Sequence, residues 1–349
     1  MTDVLTTLLG RRSSVERAAW RSFWDRLSEG EVDRSEAAAV LASLTTALPD
    51  PETLHAFLAS LDERRPEITE RWPTTVNIVG TGGGPETFNI STAAAFVAAA
   101  MGVGVVKTGS RAYSSTYGSI DLLDKLGVQL TRSHEHTRET LQRFGIAFAG
   151  HFVYPTELTT LARRLAPMSL RPFGRFLNAL GPFLAALPVT AQVTGVSASA
   201  PLAELRQLAA GVDDRTIWLC GNDLGADELI GFADNVIHPN GGDEKIQLWP
   251  GRFTSETGTL ADLRQADASE PVVDFFVRII SGEVNEVATE TVCLNAAALA
   301  VASGHIDDWA TAIAAAEQAV RSGGARELLD RMRSQGQEAA PLSATVSHG

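Results

Sequence analysis

The chain of 349 residues has few cysteines and a shortage of positive charge. Cys220 and Cys293 are its two cysteines and do not form a C-x-x-C pair, which excludes a disulfide framework and favours a reducing cytoplasm. Lys and Arg total 29 against 42 Asp and Glu, so the formal net charge is −13. Because this charge repels phosphate backbones and acidic lipid, we expect neither nucleic acid nor a membrane as partner.

Long apolar runs are also missing. The longest run of small apolar residues, 93–106, is shorter than the roughly 20 residues of a membrane-spanning helix and is cut by Gly102 and Gly104. The N-terminus has Asp3 and no basic residue ahead of its short apolar stretch, unlike a secretory signal. Hydrophobic residues still make up 44% of the chain, which predicts a folded globular protein. At this length, two unequal domains are expected.

Two patterns of hydrophobic spacing divide the chain. Apolar residues recur at helical spacing up to about residue 67, which predicts a small helical domain over 1–70. Strand and helix patterns then alternate, which predicts an α/β domain over 71–335 with a central, mostly parallel sheet flanked by helices. The tail over 336–349 is rich in Ser, Gly, Gln and Ala and is expected to be disordered. The predicted strands are 75–79, 103–107, 146–152, 191–196 and 216–219.

The first candidate site directly follows the strand predicted at 75–79. Residues 80–92 read GTGGGPETFNIST and precede an Ala-rich helix. Glycines allow the backbone to approach a ligand closely, and Ser91 or Thr92 can cap a helix whose positive end faces the same space. This pattern predicts a phosphate cradle, with a tight structural turn as the alternative. Pro85 at the third glycine position of G-x-G-x-x-G excludes a Rossmann fingerprint.

A second segment follows the next predicted strand. Residues 107–119 read KTGSRAYSSTYGS and bring together the cations Lys107 and Arg111 with several hydroxyls. Open α/β sheets bind their ligands at the carboxyl ends of strands, so this local basicity indicates an anion site. A solvated surface loop is the alternative.

The third segment contains adjacent carboxylates. Asp227 and Glu228 come after the predicted strand 216–219 and are expected to open a helix. Carboxylate oxygens suit Mg²⁺, and successive helical residues would serve two ions, or one ion and its waters. The alternative is that these residues simply complement a helix dipole.

Together these segments resemble the anthranilate phosphoribosyltransferase family. The family motif GTGG…TFNIST is matched by residues 80–83 and 87–92, and its acidic pair by Asp227 and Glu228. The motif KxGxRxxSSxxGSxDxLxxLG is matched at every fixed position from Lys107 to Gly127. Two shorter stretches, LNALGP at 177–182 and LNAA at 294–297, are similar to further family motifs.

The resemblance implies a Mg²⁺-dependent phosphoribosyltransferase. Such an enzyme transfers 5-phosphoribosyl from phosphoribosyl pyrophosphate to an aromatic acceptor and releases pyrophosphate. The implied donor-binding residues are Gly80, Thr81, Gly82, Gly83, Asn89, Ser91, Thr92, Lys107, Ser115 and Ser119. Ser91, Asp227 and Glu228 are the implied metal ligands. Lys107 and Arg111 would stabilise the charge of the transition state.

The acceptor side departs from the family pattern. The family's KHGNR reads KTGSR, so Thr108 and Ser110 replace an imidazole and an amide; with Tyr154 they are the expected acceptor contacts. An ungapped count places Arg164 at the family's carboxylate-binding arginine, whereas a count anchored on Ala166-Pro167 places Ser169 there. Anthranilate is the default acceptor. Another aromatic or heteroaromatic acceptor from a specialised pathway, or a non-catalytic binding protein on the same fold, are the alternatives.

Two further features follow from the resemblance. The position after GTGG is commonly acidic in the family, but it is Gly84 in this chain. An inserted helical stretch near 163–189 is expected to complete the helical domain. Family members are commonly homodimers that associate through this domain. Trp20, Phe23 and Trp24 are therefore candidate interface residues, or alternatively core residues of that domain.

Overall fold

A central seven-stranded sheet organises the molecule. The computed structural model describes residues 3–69, 71–109, 118–168, 173–265, 267 and 269–338. The strands are β1 (Trp72–Gly80), β2 (Gly104–Lys107), β3 (Ile146–Phe148), β4 (Val189–Gly195), β5 (Thr216–Asn222), β6 (Asn235–Pro239) and β7 (Ile246–Leu248). Their order is β3-β2-β1-β4-β5-β6-β7. The five strands from β3 to β5 are parallel, and β6 and β7 add antiparallel pairings.

The helices form two groups. The helical part comprises α1 (Val4–Gly10), α2 (Arg17–Glu29), α3 (Arg34–Thr46), α4 (Pro51–Asp62), α8 (Thr156–Arg164) and α9 (Gly174–Leu184). Helices that flank the sheet are α5 (Ile90–Ala100), α6 (Ser119–Leu126), α7 (His134–Phe144), α10 (Leu202–Ala210), α11 (Val272–Ile280), α12 (Glu286–Ala302), α13 (Trp309–Arg321) and α14 (Gly324–Glu338). The fold class expected from the sequence is confirmed. None of the described helices is long and apolar enough to cross a membrane.

The two faces of the sheet differ in polarity. On the α5 side, Val76 and Ile78 of β1 join an apolar cluster with the Ala-rich helix α5 and with α12. On the other side, Asn77 of β1 and Gln192 of β4 are buried polar residues. Gln192 Nε2 donates to the Pro182 carbonyl of α9, at 3.1 Å. Hydrogen bonds as well as apolar packing therefore join the helical part to the sheet.

An aromatic cluster forms the core of the helical part. Trp20, Phe23 and Trp24 are at most 1% exposed within this single chain. Phe57 of α4 packs against Trp20 and Trp24, and its ring centroid lies 5.7 Å from that of Phe176 of α9. Of the two alternatives for Trp20, Phe23 and Trp24, a core role is confirmed and an interface role is not, because their rings are packed inside the chain.

The stretch expected near 163–189 only partly forms a helix of its own. Arg164 ends α8, α9 begins at Gly174, and β4 already begins at Val189. Helix α9 packs on α3, as an inserted helix of the helical part would. Helix α14 continues to Glu338, past the boundary at which a disordered tail was expected, and residues 339–349 lie outside the described chain. The domain boundaries themselves stay a prediction.

Candidate active site

The site lies where the order of the strands reverses. After β1 the chain builds β2 and β3 on one side, and β4 then returns to the other side of β1. In open α/β sheets such a switch point leaves a crevice at the carboxyl ends of the two strands. Thr81 N donates to the Gly195 carbonyl across this crevice, at 2.9 Å. The glycine loop therefore begins inside it.

Hydroxyls from the end of β4 hold the glycine loop. Gly82 and Gly83 have φ angles of +64° and +80°, a conformation that favours glycine. Ser197 Oγ donates to the Gly82 carbonyl at 2.7 Å, and Ser199 Oγ donates to the Gly83 carbonyl at 3.2 Å. Neither serine is among the site residues predicted from the sequence. Their signal was available, because hydroxyls directly after a buried parallel strand reach the same crevice.

The acidic segment lies directly on the carboxyl ends of β1 and β4. Gly82 N donates to Asp227 Oδ2 at 2.7 Å. A Cβ atom on Gly80 would lie 2.2 Å from the same Oδ2, and one on Gly195 would lie 1.6 Å from the Asp227 carbonyl oxygen. A Cβ on Gly84 would approach Gly225 O at 3.1 Å. Side chains are thus excluded at positions 80 and 195, whereas a side chain at position 84 would require the Gly225–Asp227 backbone to shift by a few tenths of an ångström.

Asp227 and Glu228 do not open a helix, contrary to the expectation. They lie in an irregular connection between β5 and β6. Asn222 Nδ2 donates to the Glu228 carbonyl at 2.7 Å. Asn295 Nδ2 donates to the Leu229 carbonyl at 2.7 Å, and Leu229 N donates to Asn295 Oδ1 at 3.2 Å. Because amide side chains satisfy these backbone groups, the segment needs no helical hydrogen bonds.

The asparagine of the LNAA motif in α12, Asn295, has a structural role beside the carboxylates. The residue is 2% exposed and pairs with both backbone groups of Leu229, immediately after the two carboxylates. The resemblance assigned no role to this asparagine. A polar residue inside an otherwise apolar helix pattern was the available signal, since a buried amide needs partners.

Lys107 faces the carboxylates from the end of β2. Its Nζ donates to the Ile78 carbonyl and to Ser91 Oγ, each at 3.2 Å. Burial lowers the pKa of Lys107 to about 8, although the charges of Glu228 and Asp227 act to raise it. Burial raises the pKa of both carboxyls, and the neighbouring Asp227 raises that of Glu228 further. The site therefore concentrates one cation and two acids with little solvent between them.

The start of α5 faces this cluster. Asn89 is the N-cap residue, yet its side chain makes no capping hydrogen bond within the described chain. Thr92 Oγ1 is buried without a described partner. One lone pair of Ser91 Oγ is used by Lys107. The predicted Asn89, Ser91 and Thr92 thus surround a helix N-terminus with unused polar atoms, which is suited to an anion.

Ser119 lies close to the end of β2 because Gly109 has no side chain. It begins α6, and a Cβ on Gly109 would lie 2.1 Å from Ser119 Oγ. Glycine therefore allows the end of β2 to pass close to the start of α6. The predicted site residues Ser110, Arg111 and Ser115 lie outside the described residues.

The expected acceptor residues do not all come together. Thr108 N and Oγ1 both donate to Asn77 Oδ1, at 3.1 and 3.2 Å, and Tyr154 shares a hydrogen bond with Thr108. Arg164 instead lies against Gly30 at the end of α2, where a Cβ would be 2.8 Å from its Nη2. No described hydrogen bond or ion pair joins Arg164 to the Thr108 cluster. Ser169, the alternative at this position, lies outside the described residues.

Asp227 and Glu228 have the properties of Mg²⁺ ligands. Glu228 Oε2 is buried and has no hydrogen-bond partner among the described residues, which is costly for a carboxylate unless a cation binds it. No group of three His, Cys, Asp or Glu side chains in the described chain could enclose a metal. Mg²⁺ commonly binds through one or two carboxylates together with waters and substrate phosphates. The pair beside the glycine loop fits that mode.

Comparison with known proteins agrees with this geometry. A model of the glycosyl transferase family, a/b domain, matches residues 73–326. Anthranilate phosphoribosyltransferase of Methylobacterium nodulans is 30% identical over 92% of this chain and 94% of its own length. The chain belongs to the anthranilate phosphoribosyltransferase family. The Geobacillus kaustophilus member is 31% identical over 88% of this chain and 90% of its own length. The resemblance and the enzyme class, a pentosyltransferase, are confirmed.

Solved structures of the family have the same fold. The crystal structure of the Thermus thermophilus member has a TM-score of 0.77 at 28% identity and covers 96% of this chain and 100% of its own. The Saccharomyces cerevisiae member, solved in complex with phosphoribosyl pyrophosphate and Mg, has a TM-score of 0.71 at 22% identity. It covers 92% of each chain.

A methyl group at Gly80 tests the close approach of the acidic segment. We expect Gly80→Ala to lower kcat/KM by about 100-fold, because displacing a reacting geometry by about 1 Å has effects of that size. The matched control is Gly221→Ala, whose Cβ would meet only Val196 O at an ordinary 3.6 Å. Steady-state kinetics and thermal unfolding of both variants are the measurements. Equal activity of the two variants would contradict the packing argument.

Removal of the Asn295 amide tests whether it positions the carboxylates. Asn295→Ala leaves the Leu229 N–H and C=O unpaired, so we expect a loss of about 1–3 kcal/mol in the free energy of unfolding. A severalfold rise in the Mg²⁺ concentration for half-maximal activity should accompany it. Ser303→Ala, which removes a local hydrogen bond at the end of the same helix, is the control. A stability loss with an unchanged Mg²⁺ requirement would mean that Asn295 is structural only.

Proposed function

We propose that the chain transfers 5-phosphoribosyl from phosphoribosyl pyrophosphate to anthranilate, with Mg²⁺, and releases pyrophosphate. One observation carries the proposal: the glycine loop, Lys107 and the pair Asp227 and Glu228 meet at the switch point of the sheet. A family member solved with phosphoribosyl pyrophosphate and Mg supports the same donor. Transfer to anthranilate would place the enzyme in tryptophan biosynthesis.

The chemistry follows from where charge develops. The donor's phosphates are anionic, and charge grows on pyrophosphate as its bond to the ribose breaks. Backbone N–H groups of the glycine loop, the start of α5 and Lys107 are donors that are already oriented before the reaction. Bound Mg²⁺, held by Asp227 and Glu228, would supply neutralising charge to the departing group. The acceptor nitrogen then needs positioning rather than a strong general base.

Lys107 needs its neighbours to serve this role. Burial lowers the pKa of its ammonium, and the charges of Glu228 and Asp227 counter that effect. Ser91 Oγ and the Ile78 carbonyl fix the direction of its Nζ. The cation is thus held in place before the donor arrives, which reduces the ordering needed on binding.

A different aromatic acceptor is the second candidate. Thr108 is turned into the sheet by Asn77, and Arg164 lies against Gly30 away from the Thr108 cluster. Arg164 is therefore not placed for a bidentate contact with the carboxylate of an acceptor beside Thr108. An acceptor contacted by the half-buried Tyr154 and not by Thr108 would suit this arrangement. Homodimer formation and a cytoplasmic location stay predictions.

Donor binding and turnover test the function. Calorimetry should show that phosphoribosyl pyrophosphate binds only with Mg²⁺, and that Asp227→Asn and Glu228→Gln lose this binding. Asp223→Asn, in the same connection but exposed, should bind normally. Pyrophosphate release is then measured with anthranilate, hydroxybenzoates and heteroaromatic acids or amines. Turnover of another acceptor but not of anthranilate would identify that compound as the acceptor. Absence of donor binding would mean that the chain is a non-catalytic binding protein.

The pKa of Lys107 predicts how donor affinity depends on pH. Below pH 8 the ammonium is charged and available to phosphate; above it the free enzyme loses this charge. We expect the affinity for phosphoribosyl pyrophosphate to fall by up to about tenfold between pH 7 and pH 9, as a single required proton predicts. Lys107→Met should bind weakly and without this pH dependence. Constant wild-type affinity over this range would exclude a binding role for charged Lys107.

A further inference from the structure

A cavity of about 780 Å³ lies at the opposite end of the sheet from the glycine loop. It is bounded by the end of α4, the α9–β4 connection, the α10–β5 connection and the start of β1. The helical part and the sheet therefore both contribute walls. Since parallel strands begin at this end, the cavity is separated from Asp227 and Lys107 by the length of the strands.

Arg215 is the unusual residue of this cavity. Its guanidinium makes no hydrogen bond or ion pair with any described residue, and its Nε is buried without a partner. Other arginines of the cavity are paired: Arg17 with Glu63 at 3.0 Å, and Arg71 with Asp214 at 3.1 Å. Asp214 and Asp62 lie near enough to oppose the lowering of its pKa by burial, but neither forms an ion pair with it. The half-buried guanidinium therefore keeps hydrogen-bonding capacity that suits an anion.

Arg65 reinforces the positive charge beside Arg215. One of its terminal nitrogens donates to the Leu184 carbonyl and the other lies 3.2 Å from Asp62, but its Nε is buried without a described partner. Burial lowers the pKa of both arginines, and the charge of Arg215 lowers that of Arg65 further. Arg215 therefore supplies the unpaired guanidinium of the cavity, and Arg65 adds positive charge beside it.

The remaining walls restrict the ligand. Leu58, Phe183, Leu187 and Leu208 supply an apolar surface. Of the exposed acids that line the cavity, Asp62, Glu63 and Asp214 are paired with arginines. The other two, Glu67 and Asp213, form no described ion pair and would repel a second negative charge. A ligand with one carboxylate and a short apolar body fits these walls, whereas a polyanion does not. An ammonium group on the ligand is compatible with Glu67 and Asp213.

We propose that this cavity binds a small monocarboxylic acid, including amino acids, through the guanidinium group of Arg215, with Arg65 adding positive charge beside it. The carboxylate would pair with Arg215 in the bidentate manner of guanidinium–carboxylate contacts. The apolar body would lie against Leu58 and Phe183 from the helical part and Leu208 beside the sheet. A bound acid thus bridges the two parts of the chain, so it stabilises their association.

Hexanoate and norleucine are the probes, because neither has the aromatic ring expected at the acceptor site. We expect each to raise the thermal unfolding midpoint of the full chain by a few degrees at tenfold excess over its Kd, as binding to the folded state requires. Calorimetry should give one site per chain. Arg215→Gln should weaken binding at least tenfold, because it removes a charged hydrogen-bond donor.

Matched variants distinguish binding in this cavity from binding elsewhere and from misfolding. Arg206→Gln, on the exposed side of α10, should bind both probes like the wild type. Arg215→Gln should still bind phosphoribosyl pyrophosphate with Mg²⁺, which shows that the variant is folded and that the donor site is independent. Absence of probe binding to the wild type, or equal binding to Arg215→Gln, would overturn the proposal.

Discussion

The close approach of Asp227 to the ends of β1 and β4 is the constraint on which the site depends. Gly82 N binds its carboxylate, and there is no room for a side chain at Gly80 or Gly195. This contact ties the β5–β6 connection to the glycine loop. Without it, the carboxylates would have no fixed relation to Lys107 or to the start of α5. The glycine-rich composition of the loop therefore serves protein packing as much as ligand access.

The antiparallel pairing of β5 and β6 also determines where the carboxylates lie. A parallel crossover after β5 would require a helix, and the acidic pair would then lie in its first turn. Here β6 returns directly beside β5, so the connection over residues 223–234 needs no crossover helix and is irregular. Asn222 and Asn295 replace the missing backbone hydrogen bonds. The carboxylates are thus held by buried amides on rigid elements, which suits a site that must keep its geometry before substrate binds.

Local patterns predicted much of this structure, and long-range pairing accounts for most of what they missed. The alternation of strands and helices, the glycine loop and Lys107 at the end of β2 follow from short segments read in order. The role of Ser197 depends on β4 lying beside β1, and that of Asn295 on α12 lying beside the β5–β6 connection. The aromatic residues Trp20 and Trp24 were equally compatible with an interface or a core. Only the packing of Phe57 against them, with Phe176 packed in turn on Phe57, decides between the two.

Helix α9 has three separate sets of contacts. Phe176 belongs to the aromatic core of the helical part, the amide of Asn178 would lie 3.6 Å from a Cβ on Gly82, and the Pro182 carbonyl accepts a hydrogen bond from Gln192. One short helix thus touches the hydrophobic core, the glycine loop and the polar face of the sheet. Fewer amino-acid substitutions would be tolerated in α9 than in the neighbouring segments if the chain evolved toward a new substrate. Substitutions in α9 must remain compatible with all three environments.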